Sequence, residues 1–226
     1  MLDFFLFSVF PYIAVTLALV VGIYRYRVQK FSYSSLSTQF FEKRKLFWGS
    51  IPWHYGIVII LLAHLFIIVF TEPWKTLVGK TSRLYAVEII GLSIAIWALT
   101  GLLILIYRRL SDSRLRAVTS PMDIVLLLFL LWQTGSGIYI ALFQGWGAQW
   151  ITATAVPWIH SLLVLEPKPE YVSTFPWVLK IHMLGGFILL ALFPFTRLVH
   201  VASFPLPYLW RRPQVVRWYK KAGRTP

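Results

Sequence analysis

The chain of 226 residues contains no cysteine. It therefore forms no disulfide and supplies no thiolate nucleophile, no iron–sulfur ligand and no covalent attachment point for a c-type haem. Any redox or metal chemistry in this chain has to use histidine or carboxylate side chains.

Acidic residues are also scarce, because 8 Asp and Glu stand against 22 Lys and Arg and leave a formal net charge of +14. At the same time 58% of the residues are hydrophobic and the mean hydropathy is +0.69, whereas an ordinary soluble domain is about 45 to 50% apolar. A chain that is both this basic and this apolar is not a nucleic-acid-binding module. Charge placed outside long apolar runs is typical of a multi-pass membrane protein.

Five apolar stretches are long enough to cross a hydrocarbon layer about 30 Å thick, which takes about 20 helical residues. They cover residues 4–24, 51–70, 84–107, 122–143 and 175–199. We predict an all-α integral membrane protein with five transmembrane helices, forming one domain over residues 1–226 with a C-terminal tail at about 201–226. Ser120, Pro121 and Asp123 supply an N-cap, a first-turn proline and a third-position carboxylate for the fourth helix.

Lys and Arg are unevenly distributed among the connections. Seventeen of them lie at the C-terminal ends of the first, third and fifth spans or in the segments that follow, and only five lie on the opposite side. The positive-inside rule then places the N-terminus outside and the C-terminus in the cytoplasm. This orientation makes the C-terminal tail cytoplasmic.

Four of the five histidines, His54, His64, His182 and His200, fall in or at the ends of the second and fifth spans. One histidine inside a bilayer is usually satisfied by an interhelical hydrogen bond, but four on two helices indicate a function. His54 and His64 stand about 15 Å apart along a helix axis, so the four cannot share one tetrahedral zinc ion. Because the two helices run in opposite directions, His54 pairs in depth with His200, and His64 with His182.

Two facing imidazoles at two depths, with no thiolate available, suit two stacked b-type haems whose function is electron transfer. On an ideal helix His182 and His200 would be about 27 Å apart, and we expect Pro194 to kink the fifth span and helix tilt to absorb the difference. A transporter or proton channel with a histidine relay is the alternative, against which the lack of an inverted repeat counts. His160, in the long connection before the fifth span, is interpreted as a surface residue.

Glycines are frequent in the predicted spans, and two interpretations stay open for them. They would let a flat macrocycle approach the backbone, or they would let membrane helices pack closely together. The glycines concerned are Gly56, Gly91, Gly101, Gly135, Gly137, Gly185 and Gly186.

The chain resembles the gamma subunit (cytochrome b subunit) of respiratory nitrate reductase over nearly its whole length. The resemblance is carried by the spacing of His54 and His64, by His182, and by four short blocks. These are Phe10-Pro11-Tyr12-Ile13-Ala14, Arg108-Arg109-Leu110, the run from Phe193 to His200, and Pro207-Tyr208-Leu209.

The resemblance implies a subunit of the prokaryotic cytoplasmic (inner) membrane that carries two haem b groups. It implies that His54 and His200 ligate the inner haem iron, and that His64 and His182 ligate the outer one. Such a subunit oxidises a quinol, menaquinol or ubiquinol, near the outer face. It passes the electrons to an iron–sulfur beta subunit on the cytoplasmic side, which feeds a molybdenum-containing alpha subunit. The resemblance places no nitrate chemistry and no catalytic residue in this chain. An equivalent quinol-linked subunit of a related complex, such as a sulfite-reductase-linked one, is the alternative.

Several charged residues are candidates for contacts around these groups. Lys80 matches the family's quinol-site lysine, and Arg83 and Glu88 lie close to it in the sequence. Glu88 is either a proton acceptor or an interfacial partner of a nearby cation. Arg197, three residues before His200, either neutralises a haem propionate or simply follows the positive-inside rule. The other cytoplasmic basic residues would dock an acidic partner or membrane lipid.

Overall fold

The structure is a computed structural model that describes residues 1–28 and 42–202. All regular secondary structure in these two ranges is helical. Five helices there are long and apolar enough to cross a membrane, and they are Leu2–Val28, Arg44–Val69, Thr81–Ser111, Pro121–Phe143 and Trp177–Phe195. The prediction of an all-α protein with five membrane-spanning helices is confirmed. The predicted tail lies outside the described residues from position 203 onward.

The antiparallel bundle has two distinct ends, which we name the loop end and the basic end. The loop end consists of residues 70–80 and 144–176, and the basic end consists of residues 42–45, 108–120 and 196–202. Shorter helices connect the spans at these ends: Thr71–Val78, Ser113–Ala117, Gly147–Trp150, Ala155–Leu163 and Glu170–Ser173.

The second spanning helix begins at Arg44, earlier than its apolar sequence predicts. The reason is a cap, because the Glu42 carboxylate accepts hydrogen bonds from the backbone N–H groups of Lys45 (2.7 Å) and Leu46 (3.1 Å). A carboxylate at this position satisfies free N–H groups and complements the helix dipole. Pro52 therefore lies inside the helix.

Glu42 also joins the second and third spanning helices at the basic end. Arg108, only 4% exposed, donates from Nε to Glu42 Oε2 at 2.9 Å and from Nη2 to the Glu42 carbonyl at 2.8 Å. Burial raises the pKa of the Glu42 carboxyl, but the hydrogen bonds from Lys45 N–H and Arg108 outweigh it and leave that pKa below its ordinary value. The carboxylate therefore stays charged and holds the hairpin closed.

The fourth spanning helix begins with the predicted signal. The Ser120 side chain accepts from the Asp123 N–H at 3.2 Å, and the Asp123 carboxylate accepts from the Ser120 N–H at 3.1 Å. With Pro121 in the first turn, this is a complete capping box. The predicted start of this helix is confirmed.

The helices pack in the order second, third, fourth, fifth and first. The second and third are the closest pair. A Cβ at Gly56 would lie 2.7 Å from the Ala98 Cβ, and one at Gly101 would lie 2.5 Å from the Trp53 backbone nitrogen. Gly56 and Gly101 therefore allow the two helices to pack closely, which is the second of the two interpretations given for the glycines. The second and fifth helices are not among the closely packed pairs of the described ranges, and we call the space between their histidines the cleft.

The fifth span is not one regular helix. Its α-helix ends at Leu192 and a 3₁₀ turn, Phe193–Phe195, contains Pro194. Thr196 is extended, and its side chain then accepts the Leu198 N–H to start a second 3₁₀ turn. A proline cannot donate to the helix and its ring clashes with the preceding turn, so the break falls there.

This break corrects the expected placement of two histidines. His182 lies on the regular helix Trp177–Leu192, whereas His200 lies on the 3₁₀ turn Arg197–Val201. The separation computed for one ideal helix does not apply, because the chain leaves the helix before His200. The expected interruption at Pro194 is confirmed.

The first spanning helix is fixed to the loop end by two polar contacts. The Trp158 indole donates to the Phe7 carbonyl at 2.9 Å, inside a cluster of buried side chains. Lys180, buried to 6% exposure, bonds Asp3 at 2.8 Å. Both contacts bring the chain start against the connection and the fifth helix, which completes the bundle.

Tryptophans near the span ends have two different environments. Trp48 and Trp177 are exposed, as an interfacial position requires, whereas Trp53 and Trp74 are buried and serve in packing. Trp210 lies outside the described residues. Many large aliphatic and aromatic side chains on the spans are exposed, which suits helices surrounded by lipid.

Replacing Gly101 by alanine is expected to separate the second and third helices. The added methyl group meets backbone atoms of Trp53 and Gly49, which cannot move away as a flexible side chain can. We expect a loss of about 1 to 3 kcal/mol of stability, measured by thermal unfolding of the purified protein in detergent. Gly91→Ala on the same helix is the control, since nothing lies within 4 Å of a Cβ there. Equal midpoints for the two variants would contradict the close contact.

Candidate functional site

The first pair of histidines meets across the cleft at the basic end. The imidazole rings of His54 and His200 have centroids 6.0 Å apart and planes inclined at 70°. Both side chains are exposed. The edge-to-face arrangement brings one imidazole of the second span and one of the turn after the fifth span to the same level.

The second pair lies nearer the loop end. His64 lies on the second spanning helix and His182 on the fifth. The His64 side chain is exposed and that of His182 is half-buried. Each of the two levels therefore receives one imidazole from the second span and one from the fifth.

All four imidazoles use Nδ1 for a hydrogen bond inside the protein. The partners are the Ser50 carbonyl for His54 (2.8 Å), the Ile60 carbonyl for His64 (2.8 Å), the Ser136 hydroxyl for His182 (2.9 Å) and the Arg197 carbonyl for His200 (2.6 Å). For His54, His64 and His200 the partner is a carbonyl oxygen, which only accepts, so Nδ1 carries the proton and Nε2 keeps its lone pair. This is the arrangement of a histidine that ligates a metal through Nε2.

His160 has the opposite arrangement. Its Nε2 bonds the Ile68 carbonyl at 2.9 Å, near the C-terminal end of the second spanning helix. The side chain is exposed, as predicted, but the bond fixes the helix Ala155–Leu163 to the loop end. His160 thus satisfies a helix-end carbonyl and differs from the four cleft histidines.

No cluster of three or more His, Cys, Asp or Glu side chains suited to one metal ion occurs in residues 1–28 and 42–202. A structural zinc site takes four protein ligands. The cleft offers its nitrogen ligands two at a time. Such pairs suit a metal whose other ligands come from a flat macrocycle.

Arg197 lies in a charged cluster next to this cleft. Its guanidinium bonds both carboxylate oxygens of Asp123, with Nε–Oδ1 at 2.5 Å and Nη2–Oδ2 at 2.9 Å. Arg109 reaches the same carboxylate at 3.2 Å, and Asp123 is only 6% exposed. One acid with two guanidinium groups leaves a net positive charge in the cluster. The role of Arg197 towards a propionate stays a prediction.

The three candidate quinol residues lie at the loop end of the third spanning helix. Lys80 is the exposed N-cap position of that helix, and Arg83 donates to the Thr76 carbonyl at 2.9 Å. Glu88 is half-buried, and its Oε1 accepts the Ala148 N–H at 2.7 Å. It therefore holds a loop in place, and its role as a proton acceptor or as the partner of a cation stays a prediction.

Four of the remaining glycines are distributed around the cleft helices. A Cβ at Gly137 would lie 3.1 Å from the His182 ring, while Gly91, Gly135 and Gly186 have nothing within 4 Å. Gly186 follows His182 by four residues and shares its helix face. Open space beside an imidazole of the fifth helix is what a macrocycle would need.

A family model described as "Nitrate reductase gamma subunit" matches residues 3–219. The chain belongs to this family. It is 36% identical to the "Nitrate reductase gamma chain" of Bacillus subtilis (strain 168), over 94% of this chain and 96% of that one. It is 31% identical to the "Respiratory nitrate reductase 2 gamma chain" of Escherichia coli (strain K12), over 96% and 97% of the two chains.

A more distant similarity reaches a different complex. The chain is 26% identical to the "Hdr-like menaquinol oxidoreductase cytochrome b-like subunit" of Archaeoglobus profundus, over 72% of this chain and 48% of that protein. Family membership rests on the gamma chains, which match nearly end to end. The resemblance to this family that the histidine spacing indicated is confirmed.

In this member of the gamma subunit family, sequence analysis missed the residues of the fourth spanning helix that hold His182. Gln133 Nε2 donates to the His182 carbonyl at 3.0 Å, and the Ser136 hydroxyl bonds its Nδ1. The signal for them is the polar run Gln133-Thr134-Gly135-Ser136-Gly137 inside an otherwise apolar span. Polar side chains at that depth call for a partner.

Replacing Asp123 by asparagine is expected to destabilise the basic end. The amide oxygen still accepts the capping bond, but the two guanidinium groups lose their counter-charge. Breaking a buried ion pair from one side costs about 3 to 5 kcal/mol, and we expect the lower part of this range in unfolding experiments in detergent. Glu72→Gln is the control, since its pair with Lys75 is exposed and such pairs contribute little. Similar losses of stability in both variants would show that the buried cluster contributes no more than an exposed ion pair.

Proposed function

We propose that this chain is the quinol-oxidising cytochrome b subunit of a nitrate reductase. Its histidines hold two b haems, His54 with His200 at one level and His64 with His182 at the other. The observation that carries this proposal is the shared hydrogen-bond arrangement of the four imidazoles. Each one uses Nδ1 for a hydrogen bond inside the protein, which would leave Nε2 for a haem iron.

The dimensions of the cleft support haem as the group. Two opposed imidazoles bonded to one metal ion through bonds of about 2 Å have ring centres about 6 Å apart, and the His54 and His200 centroids are 6.0 Å apart. The second and fifth helices do not pack against one another where the rings emerge. Gly186 adds open space next to His182. The residues therefore fit the group.

A b haem with both axial positions filled supplies one-electron transfer and has no open site for substrate. The part of this chain is to hold the axial nitrogens in their neutral form and to keep the cleft dry. The Nδ1 bonds fix each tautomer, and the apolar helices exclude water. The chain itself has no role in nitrate chemistry, which belongs to a partner.

We further propose that the basic end faces the cytoplasm and the loop end faces outward, in the cytoplasmic membrane of a prokaryote. The charge distribution supports this orientation, since the described basic end carries Arg108, Arg109, Arg114 and Arg116. This end then meets the iron–sulfur beta subunit, with the molybdenum-containing alpha subunit beyond it. Anionic lipid would surround the rest of this face.

Quinol oxidation is assigned to the loop end, at Lys80, Arg83 and Glu88. The Lys80 ammonium group makes no hydrogen bond or ion pair with any described residue, so it is available to a substrate oxygen. Glu88 holds the Ala148 N–H through Oε1, and its second carboxylate oxygen would accept the proton. Lys80 is therefore the primary candidate for binding the quinol.

A quinol-linked complex other than nitrate reductase is a second candidate for the same chemistry. The similarity to the menaquinol oxidoreductase subunit of Archaeoglobus profundus favours it. Both candidates use the same histidines and differ only in the partner. Co-purification of the chain with its partners separates them, because a molybdenum-containing subunit with nitrate reductase activity is expected only for the first.

His64→Leu is expected to remove one of two haems from each chain. Leucine fills similar space but offers no nitrogen, so the level nearer the loop end loses an axial ligand. The haem content of the purified complex, measured as its pyridine haemochrome, should fall from about two to about one per chain. His160→Ala is the matched control and should leave the haem content at two per chain, because His160 Nε2 is already hydrogen-bonded to the Ile68 carbonyl. A preparation of the unchanged protein without haem bands would overturn the proposed function.

Lys80→Ala is expected to slow the reduction of the haems by a quinol at least tenfold, while dithionite reduces them fully as before. The reason is the loss of a charge-assisted hydrogen bond to the quinol oxygen. Lys75→Ala is the matched control at the same end, since Lys75 is already paired with Glu72 at 2.8 Å. Stopped-flow absorbance of membranes measures both rates. If both variants behaved like the unchanged protein, the quinol would have to bind elsewhere.

A further inference from the structure

One of the four cleft imidazoles differs from the others in the group that receives its Nδ1 proton. His54, His64 and His200 bond backbone carbonyls three or four residues earlier in their own segments. His182 bonds a side chain of another helix, the hydroxyl of Ser136. His54 Nδ1 also lies 3.0 Å from the Ser50 hydroxyl, but the Ser50 carbonyl would remain if that hydroxyl were removed. His182 is therefore the one imidazole of the four whose Nδ1 partner among the described residues is a side chain alone.

The Ser136 hydroxyl has a defined direction. It lies 3.1 Å from the Gln133 carbonyl, an oxygen that only accepts, so the hydroxyl proton points there. The hydroxyl oxygen is then left as an acceptor for Nδ1–H of His182 at 2.9 Å. Ser136 is 8% exposed, so water does not compete for this bond.

The same stretch of the fourth helix also fixes the backbone and the ring of His182. Gln133 Nε2 donates to the His182 carbonyl at 3.0 Å. The missing side chain of Gly137 leaves space for the ring, since a Cβ there would lie 3.1 Å from its Cε1. Gly185 makes room for the Gln133 amide in the same way. Gln133, Ser136, Gly137 and Gly185 together fix the position of His182.

We propose that Ser136 is a positioning residue for His182. The Ser136 hydroxyl fixes the Nδ1-protonated tautomer of His182 and thereby sets the reduction potential of the haem that His182 holds with His64. This inference rests on the proposed function. A hydrogen-bond acceptor on the distal ring nitrogen makes an imidazole a stronger electron donor to its metal. A stronger donor favours the oxidised iron, so the loss of the acceptor favours the reduced iron.

The test is Ser136→Ala in the full-length chain, kept in its native membranes with its partners. Replacing a residue that hydrogen-bonds a metal ligand commonly changes metal affinity or activity by about tenfold or more. We expect the reduced form of one haem to gain about tenfold, which is an upward shift of about 59 mV for a one-electron couple. The haem held by His54 and His200 should keep its potential. Optical potentiometric titration resolves the two, and the low-spin EPR signal of the oxidised haem should move for the same one.

Three further variants separate positioning from packing. Ser136→Thr keeps the hydroxyl and should restore the original potential. Ser136→Cys keeps the shape but accepts hydrogen bonds poorly, so it should shift the potential in the same direction as alanine even if the alanine variant does not assemble. Thr134→Val removes a second buried hydroxyl from the same helix, one that bonds only the Leu130 carbonyl, and should change neither haem.

The outcomes distinguish this inference from the proposed function. Two haems with unaltered potentials in Ser136→Ala and Ser136→Cys would overturn the positioning role and leave the proposed function intact. Equal shifts of both haems, or an equal shift in Thr134→Val, would also overturn it, because the effect would then be general. Absence of haem from the unchanged protein would remove the proposed function and this inference together.

Discussion

The arrangement of this protein depends on how an imidazole is satisfied inside a membrane. A histidine has two ring nitrogens, and a lipid environment offers neither of them a partner. In the four cleft histidines the described part of the chain provides a partner for Nδ1 alone. Nε2 is left for a ligand in the cleft. The internal hydrogen bonds therefore prepare each imidazole for the proposed haem.

A bundle that keeps such a cleft open needs strong packing elsewhere. The second and third helices approach closely at Gly56 and Gly101, and the third, fourth, fifth and first helices follow in order. At the basic end the Asp123 carboxylate joins the third, fourth and fifth helices through Arg109 and Arg197. The helices that carry the histidines are therefore held by their neighbours and not by each other.

Sequence reasoning reached the features that depend on composition or on short spacing. Apolar runs of about 20 residues predicted the five spans, and Ser120 with Asp123 predicted the start of the fourth helix. It did not reach Ser136 or the two arginine partners of Asp123, because such contacts depend on which helices become neighbours. Sequence reasoning also did not predict the course of the chain after Leu192. Pro194 predicts that the helix is interrupted, but not in which direction the chain continues.

The interruption of the fifth span divides its two histidines between two elements. His182 belongs to a regular α-helix, whereas His200 belongs to a separately capped turn beyond the extended Thr196. The position of His200 therefore depends on the cap at Thr196 as well as on the register of the helix that carries His182.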